Sequence, residues 1–344
     1  MLNAAMLSKW HVHAEGYAKA ALKTGKVKIT AVWDDDTGSE ASPGRGQAWA
    51  NELGCDFEQD LDKLLQREDV QAVICDAPTS DHKEVLIKAA RAGKHIFTEK
   101  ALAPTVRECE EIVAEIEKAG VIFTISMPQR VHPVIQYAKQ QIELGTFGVI
   151  SSARLRNGHN GVSGDWLPDY WFDGTKTGGG ALMDLGCHPM YTAGYLFGKP
   201  KRVSSIMNDP FKAASQKLPK LAQTGGFMDE NASVTIEFEN GVICVGETSF
   251  VSYNSPGIVE IYGTEATLIA IDNDVKLYRK NGNAPTPVEP ALPEAQPSPL
   301  ETFIDACINK TGTPGIYDVK AAVELTRLLE SAYISEKDNR IVNF

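Results

Sequence analysis

The first third of the chain alternates short apolar runs with amphipathic stretches in strict succession. The runs VKITAVWD, VQAVICDAP, HIFTEK and VIFTIS have the composition of strands, and stretches with helical spacing separate them. Strands and helices joined by short connections form right-handed βαβ units, which build a parallel sheet covered on both faces. We therefore predict an α/β fold with a first domain over residues 1–125.

The pattern changes after Pro128. Longer alternating runs follow, among them ASVTIEFENGVICVGETSFV, which contains the hairpin signal Glu-Asn-Gly. These runs predict a second α/β domain, residues 126–344, with a large, mostly antiparallel open sheet. We expect one helix from about Gly178 to Phe197. NAPTPVEPALPEAQPSP is interpreted as a surface connection to two C-terminal helices that can pack back on the first domain.

The composition restricts the partners. A net charge of -11, with acidic and basic residues interspersed, leaves no basic stripe for nucleic acid. No window approaches the roughly 18 uninterrupted apolar residues of a membrane span. The six cysteines are scattered without a CxxC pair, which suits a reducing compartment and argues against a zinc site. We expect a cytoplasmic protein with no nucleic-acid partner, no membrane partner and no metal.

Ligands of open parallel sheets bind beyond the carboxyl ends of the strands, so residues at those ends are the first candidates. In this chain they are Ser8, Asp34, Ala77 to Thr79, Lys100 and the segment around Gln129. Asp34 can accept hydrogen bonds from both ribose hydroxyls of an adenosine. Asp35 and Asp36 beside it would repel a 2′-phosphate, which favours NAD over NADP. The alternative is a polar turn after a strand.

Two further stretches contain residues suited to proton transfer. In TEKAL, Lys100 follows Glu99, and a lysine held away from bulk water can polarise an oxygen; the alternative is a solvated surface pair. In GGGALMDLGCHPMY, Asp184 and His188 have the i, i+4 spacing that puts a carboxylate beside an imidazole on a helix. Pro189 would kink that helix or mark its first turn. The alternative is a buried histidine bonded to a nearby aspartate.

An irregular aromatic stretch occupies residues 159–177. Trp166, Tyr170, Trp171 and Phe172 alternate there with carboxylates and a lysine. They could form a wall with an apolar face and polar edges, which suits a sugar or polyol, although packing between domains would use the same residues.

In chain order, these segments resemble the Gfo/Idh/MocA family of NAD(P)-dependent oxidoreductases, which includes inositol and sugar dehydrogenases. TEKAL is similar to the family's Glu-Lys-Pro motif, GGGALMDLGCH to its Gly-rich lead-in to Asp-x-Gly-x-His, and APTSDH to its segment after the fourth strand. ISMPQRVHPVIQYAKQQIELGTFGVI, VEIYGTEATL and the final NRIVNF also resemble the family's usual run. The resemblance covers nearly the whole chain.

The resemblance implies a Rossmann first domain, NAD as cofactor with NADP less favoured, and a homo-oligomer, dimer or tetramer, formed through the C-terminal sheet. It implies Lys100 at the nicotinamide and substrate, His188 as the base, and Asp184 as its orienter or a substrate ligand. The implied cofactor-binding residues are Ser8, Trp10, His11, Asp34, Asp35, Ala77, Pro78, Thr79, His82, Glu99, Lys100 and Gln129. The implied substrate-binding residues are Lys100, Arg130, Trp166, Trp171, Asp184, His188 and Tyr191.

Three features depart from the family's pattern. Ala101 replaces the motif's proline, Tyr191 stands where many members have a second aspartate, and no glycine precedes Gly16 where a phosphate loop is expected. A helix N-terminus still offers backbone N–H groups and its dipole to a diphosphate. We expect NAD to bind through Ser8, whose hydroxyl would also cap the helix, and through the backbone of residues 9–11, more weakly than to a glycine loop.

The leading hypothesis is an NAD-dependent oxidoreductase that acts on a secondary hydroxyl or keto group of a sugar, inositol or related polyol. One alternative is a redox-neutral, NAD-using enzyme that cleaves a glycosidic bond and turns over without net NADH. Another is a ligand-sensing relative that kept the fold and lost turnover.

Overall fold

The chain forms two compact units in its computed structural model, which describes residues 1–34, 44–210, 228–281 and 284–344. The units consist of Met1–Met127 with Pro297–Thr326, and of Pro128–Gln296 with Arg327–Phe344. A search of the described helices finds none with the length and apolar character needed to cross a membrane.

A parallel sheet forms the centre of the first unit. Its described strands, in spatial order, are Asp56–Phe57, Val27–Trp33, Leu2–Leu7, Ala72–Cys75, His95–Thr98 and Phe123–Ile125. All neighbouring pairs run parallel, which confirms the predicted sheet, although the short strand Asp56–Phe57 was not predicted. The strand order reverses between Leu2–Leu7 and Ala72–Cys75, and ligands of such sheets bind at that switch point.

The helices that accompany this sheet come from both ends of the chain. Their bounds are Ala14–Lys23, Gln47–Leu53, Leu61–Gln66, His82–Arg91, Val106–Ala119 and Pro299–Asn309. The last one begins with a capping box, in which the Ser298 side chain accepts the amide of Glu301 and the Glu301 side chain accepts the amide of Ser298. Phe303 from this helix packs in the core near Phe97, with ring centroids 5.9 Å apart. A late segment of the chain therefore completes the core of the first unit.

The second unit contains a larger sheet that is antiparallel except at one place. Its described strands, in spatial order, are Ala284–Val288, Asp274–Asn281, Ala266–Ile271, Ile258–Gly263, Ile150–Gly158, Ile243–Ser249, Asn231–Phe238, Pro200–Asn208 and Val342–Asn343. The parallel pair is Ile150–Gly158 with Ile243–Ser249. This confirms the predicted fold class. The surface connection was predicted wrongly in part, because Ala284–Val288 is an edge strand, a position where prolines are tolerated.

The helices of the second unit differ from the prediction near the glycine-rich segment. Their bounds are Pro133–Glu143, Gly174–Thr177 and Cys187–Phe197, and a long helix, Val319–Asp338, begins in the first unit and ends in the second. The single helix expected from Gly178 is wrong in its first half, because a π-helical turn, Leu182–Gly186, precedes Cys187–Phe197. Pro189 lies in the first turn of that helix, directly after the π-helical turn, which is one of the two predicted alternatives.

A buried carboxylate fixes the glycine-rich segment. Asp229 accepts hydrogen bonds from the amides of Gly180 at 3.0 Å and Leu182 at 2.7 Å, and from the Tyr333 hydroxyl at 2.8 Å. Gly180 packs so closely on the main chain of Asp229 that a Cβ atom there would overlap it. The start of the π-helical turn is therefore set by a residue far along the chain.

We expect Gly180→Ala to lower the free energy of unfolding by roughly 1 to 3 kcal/mol, because the added methyl group has no room beside Asp229. Gly194→Ala is the matched control, since a Cβ atom at Gly194 meets nothing within 4 Å, and alanine is the better helix former. Urea unfolding followed by circular dichroism compares the two. Equal stability of the two variants would contradict the close packing at Gly180.

Candidate functional site

Asp34 ends the strand Val27–Trp33, and its carboxylate is buried at the carboxyl edge of the parallel sheet. It accepts hydrogen bonds from the Ser8 hydroxyl at 3.1 Å and from the amides of Lys9 and Gly46 at 3.2 Å each. Arg45 forms an ion pair with this carboxylate. Arg45 was missed from the sequence, and the Gly-Arg-Gly run that contains it was the available signal.

Ser8 makes the turn that a glycine makes in many phosphate loops. Its backbone has a φ of 71°, in the left-handed region that glycine adopts at least cost. Its hydroxyl oxygen accepts the amide of Trp10 at 3.1 Å, in addition to its contacts with Asp34 and Arg45. The predicted helix cap at Ser8 is wrong, because the N-cap residue of the first helix is His13, with no side-chain cap.

The backbone amides of residues 9–11 are engaged within the protein. The amide of Lys9 donates to the Asp34 carboxylate, that of Trp10 to the Ser8 hydroxyl, and that of His11 to the carbonyl oxygen of Asp76 at 3.0 Å. That these three amides hold a diphosphate stays a prediction. A diphosphate at this turn has to displace those contacts or use other donors. The predicted ribose neighbour Asp35 lies outside the described residues.

Glu99 and Lys100 follow the fifth strand of this sheet and are 1% and 3% exposed, which excludes the solvated-pair alternative. The Oε1 atom of Glu99 lies 2.8 Å from His13 Nδ1 and accepts a short hydrogen bond from the Tyr17 hydroxyl. Its Oε2 atom accepts the amide of Lys100 at 2.9 Å. Burial alone would raise the pKa of Glu99, but the neighbouring charges, those of His11 and His13 first, lower the pKa well below its usual range.

Asp76 is a third buried carboxyl group at this edge, after Asp34 and Glu99. No described residue donates a hydrogen bond to either of its carboxyl oxygens. Burial raises the pKa of Asp76 well above its ordinary value, and the charge of Glu99 adds to that rise. Glu99 also joins His11 and His13 in a set whose potential metal-ligand atoms lie within 4.8 Å of one another. The expectation of no metal site was based on cysteine spacing and did not take these side chains into account.

His82, a predicted cofactor residue, is buried between two backbone segments. Its Nε2 atom lies 3.0 Å from the carbonyl oxygen of Ala77, and its Nδ1 atom lies 3.1 Å from that of Ala101. Burial lowers the pKa of His82. His82 therefore connects the segment that follows the strand Ala72–Cys75 to the segment that follows the strand His95–Thr98. Pro78 and Thr79, predicted with it, lie in the tight turn at the same strand end.

In the second unit, His188 lies in the first turn of its helix and pairs with a tyrosine. Its Nδ1 atom is 2.7 Å from the hydroxyl oxygen of Tyr191, which also accepts the amide of Gln129 at 3.1 Å. Asp184 was the expected orienter of the imidazole. It lies in the π-helical turn Leu182–Gly186, so the α-helical i, i+4 spacing that supported this pairing does not apply.

A cavity of about 370 Å³ lies beside His188 in the second unit. Its polar lining residues include Gln129, Asn157, Ser255 and Asp272. The hydroxyl of Ser255 is buried and has no hydrogen-bond partner among the described residues. The volume and the polar lining suit a small ligand with several hydroxyl groups.

The other predicted substrate residues differ in their exposure. The guanidinium of Arg130 is buried over the ring of Tyr191, with its central carbon 5.9 Å from the ring centroid. Trp171 is 2% exposed and offers almost no surface to a ligand, whereas Trp166 is 52% exposed and its ring is tilted against that of His159, with centroids 4.6 Å apart. Of the two tryptophans, Trp166 alone presents a face to solvent.

A parallel sheet with this strand order, and a second unit built on a mostly antiparallel sheet, define a two-unit α/β protein with a Rossmann-type first unit. Residues 9–127 match a family described as an oxidoreductase family with an NAD-binding Rossmann fold, and residues 135–269 match the GFO/IDH/MocA C-terminal domain. The chain belongs to the Gfo/Idh/MocA oxidoreductase family, as the resemblance predicted.

Several characterised relatives resemble the chain. Over 295 residues it is 27% identical to scyllo-inositol 2-dehydrogenase (NAD(+)) of Bacillus subtilis, a match that covers 82% of this chain and 80% of the relative. Over 133 residues it is 43% identical to 2,7-anhydro-N-acetylneuraminate hydratase of Mediterraneibacter gnavus, which covers 38% of this chain. That match spans 33% of the hydratase, about a third of its length.

Solved structures share the fold. An oxidoreductase domain protein from Kribbella flavida has a TM-score of 0.81 at 22% identity, with 100% of this chain and 99% of the other covered. Levoglucosan dehydrogenase in complex with NADH and levoglucosan has a TM-score of 0.80 at 18% identity, with 99% of each chain covered.

We expect Asp76→Asn to become more stable relative to the unsubstituted chain as the pH rises. Because the pKa of Asp76 is raised in the folded state, the folded protein binds more protons than the unfolded chain above about pH 4, and its stability falls with pH until the raised pKa is passed. The slope is at most about 1.4 kcal/mol per pH unit. Melting temperatures at pH 5 and pH 8 test this, with Glu110→Gln as the control for loss of a surface carboxylate. A difference that does not grow with pH would show that Asp76 is ionised throughout.

Proposed function

We propose that this chain is an NAD-dependent oxidoreductase that moves a hydride between nicotinamide and a secondary hydroxyl or keto group of a sugar, inositol or related polyol. The observation that carries the proposal is His188 on the wall of a polar cavity, with its Nδ1 atom 2.7 Å from the Tyr191 hydroxyl. Membership of an oxidoreductase family with an NAD-binding Rossmann fold supports the reaction class. Relatives named as an inositol dehydrogenase and a levoglucosan dehydrogenase support the substrate class.

The residues of the first unit fit a nicotinamide dinucleotide at two places. The Asp34 carboxylate ends the second strand, where an adenosine ribose is bound in Rossmann folds. The buried Glu99 and Lys100 lie at the end of the fifth strand, and we assign them to the nicotinamide end together with Trp10 and His11. The bound nicotinamide supplies the hydride acceptor, and the protein supplies orientation and proton transfer.

His188 is the proposed general base. For this role the Nδ1–H group donates to the Tyr191 oxygen at 2.7 Å, which leaves Nε2 without a proton and able to take the hydroxyl proton of the substrate. Tyr191 is held in turn by the amide of Gln129. Asp184 is proposed as a substrate ligand, and Arg130 and Trp166 as further substrate contacts.

Lys100 is the proposed electrophilic group. Its ammonium group belongs to a side chain that is 3% exposed, and in such surroundings a positive charge stabilises a developing alkoxide more strongly than it does in water. When the C–H bond gives up its hydride and the O–H bond its proton, the substrate oxygen passes through that charge state. The role proposed for Lys100 is therefore to stabilise the charge on the substrate oxygen, and the role proposed for His188 is to take the hydroxyl proton.

A second candidate is a redox-neutral reaction, in which the substrate is oxidised and then reduced again on the same cofactor. The similarity to 2,7-anhydro-N-acetylneuraminate hydratase favours this reaction over a ligand-sensing role without turnover. The two candidate reactions differ in the fate of the reducing equivalents, because a dehydrogenase accumulates NADH and a redox-neutral enzyme forms product without it.

A cytoplasmic location and assembly into a dimer or tetramer through the second sheet remain predictions. The six cysteines are free thiols, and five of them are buried, which supports a reducing compartment. Val149, Ile206 and Ile243 are exposed apolar residues in and beside the strands of the second sheet, and they support an interface there.

We expect Lys100→Ala and His188→Ala to lower kcat by roughly 10²- to 10⁴-fold on the true substrate, because each removes a group that acts on the reacting oxygen. A screen of sugars, inositols and their keto or acid forms with NAD, followed at the absorbance of reduced nicotinamide and by product analysis, identifies that substrate. Lys276→Ala, a surface lysine of the second unit, is the control. Rates within a few fold of the unsubstituted chain for both variants would refute the catalytic assignment.

Tyr191→Phe tests the positioning of His188. The phenylalanine keeps the ring under Arg130 and removes only the hydroxyl that contacts Nδ1. We expect a fall in kcat of about ten-fold with a nearly unchanged KM, together with a shift of the acidic limb of the pH–rate profile. A change in KM alone, with the pH profile unmoved, would mean that the hydroxyl contacts substrate and does not position the imidazole.

A further inference from the structure

Three potential metal ligands, the side chains of His11, His13 and Glu99, meet at the carboxyl edge of the parallel sheet. Their ligand atoms all lie within 4.8 Å of one another. His13 Nδ1 is 2.8 Å from Glu99 Oε1, and the two imidazole rings have centroids 4.5 Å apart. Ligand atoms at about 2.1 Å from a tetrahedral ion lie about 3.4 Å from one another, so movements of about 1 Å would close these three atoms around one ion.

Backbone hydrogen bonds fix the turn that contains the two histidines. The amide of His11 donates to the carbonyl oxygen of Asp76 at 3.0 Å, and the carbonyl oxygen of His11 accepts the amide of Ala14 at 3.1 Å. The amide of His13 donates to His11 Nδ1 at 3.2 Å, which orients that ring. His11 is 4% exposed, whereas the His13 side chain is 49% exposed. One histidine is therefore a fixed, buried ligand, and the other can rotate and give an ion access from solvent.

The carboxylate of Glu99 is oriented by its neighbours. Its Oε2 atom accepts the amide of Lys100 at 2.9 Å, which directs Oε1 towards His13. The Tyr17 hydroxyl also contacts Oε1 and lies 2.7 Å from the Ser126 hydroxyl. Carboxylates that bind metals are themselves held by such outer hydrogen bonds, which fix the direction of the ligand atom. Tyr17 is therefore suited to position Glu99 for an ion.

A second buried carboxyl group lies within electrostatic reach of this set. Asp76 is fully buried, no described residue donates a hydrogen bond to either of its carboxyl oxygens, and the charge of Glu99 acts on it. A divalent ion beside Glu99 would offset the repulsion between the two carboxyl groups. The charge of Lys100 also acts on Glu99 and opposes a cation at this place. We therefore expect a site of moderate affinity.

The ligand types select the class of ion. Imidazole and carboxylate together suit zinc and its neighbours among the transition metals, whereas Mg²⁺ and Ca²⁺ select oxygen ligands alone. We propose that His11, His13 and Glu99 bind one divalent transition-metal ion, with water completing its coordination, and that this ion excludes the dinucleotide. The exclusion, but not the site, rests on the proposed function, which assigns His11 and Glu99 to the nicotinamide end. The ion and the dinucleotide then require the same two side chains.

The experiment is titration calorimetry of the full-length chain after treatment with a chelator. The probes are Zn²⁺, and Mg²⁺ and Ca²⁺ as ions that select oxygen ligands. The variants are His13→Ala, Glu99→Gln and Tyr17→Phe. His132→Ala is the matched control, because His132 is a histidine of the second unit outside the set. Circular dichroism melting establishes that each variant is folded, and His13→Ala, which changes a half-exposed side chain, serves if Glu99→Gln is not.

We expect the unsubstituted chain to bind Zn²⁺ with a Kd on the order of 1 μM and to bind neither Mg²⁺ nor Ca²⁺ at that concentration. His13→Ala and Glu99→Gln should weaken Zn²⁺ by at least about 100-fold, and Tyr17→Phe by about ten-fold. His132→Ala should leave the affinity unchanged. If His13→Ala keeps the affinity within about two-fold, the zinc is adventitious and the site is wrong, while the proposed function stands.

The exclusion is tested by titrating NAD with and without Zn²⁺ at about ten times its dissociation constant. We expect zinc to weaken NAD by about ten-fold in the unsubstituted chain and to have no effect in His13→Ala. If zinc binds to the set and the affinity for NAD does not change, the exclusion is wrong and the site stands. If the zinc-free chain does not bind NAD, the cofactor of the proposed function is wrong and the exclusion falls with it, whereas the zinc titration still decides the site.

Discussion

The six described strands of the first sheet run in one direction, and this brings all of their carboxyl ends to the same edge. Beyond this edge the backbone N–H and C=O groups no longer pair with a neighbouring strand. Polar side chains therefore form hydrogen bonds with these groups and with one another. Three carboxyl groups that are far apart in sequence lie at this edge, because each follows a different strand: Asp34, Asp76 and Glu99. Each has different surroundings: Asp34 contacts Arg45 and three further donors, Glu99 contacts His13 and Tyr17, and burial raises the pKa of Asp76. The chemistry proposed for the chain depends on this one topological constraint.

The fold could be predicted from the sequence because each element of the sheets repeats a local pattern. Strands with period-two or uninterrupted apolar runs, and helices between them, define the parallel sheet without any knowledge of contacts. The elements that were missed are those without a pattern. Asp56–Phe57 has two residues, and Ala284–Val288 contains prolines and forms only because an edge strand can dispense with a donor. The π-helical turn before His188 was missed because its spacing follows from the packing of Gly180 on Asp229, which the local sequence does not encode.

The candidate site was predictable one residue at a time, but its pairings were not. Strand ends identified Asp34 and Lys100, and the helical segment identified His188. The partners came from elsewhere: Arg45 lies 11 residues beyond Asp34. Tyr191, expected as a substrate-binding residue, lies 2.7 Å from the imidazole of His188, for which Asp184 was expected as the orienter or as a substrate ligand. The glycine-free turn has a physical account as well, because the contacts of the Ser8 hydroxyl hold a left-handed backbone that would otherwise favour glycine.

The hydrogen bond between Tyr333 and Asp229 has a consequence for the order in which the chain is made. Asp229 orients the amides that begin the turn before His188, and Tyr333 completes the set of donors to Asp229 from the long helix near the end of the chain. During synthesis the segment around His188 leaves the ribosome well before Tyr333 does, so the buried Asp229 carboxylate lacks one donor until the helix that contains Tyr333 has emerged. The imidazole proposed to act as the base therefore reaches its final surroundings only after about 140 further residues have been made.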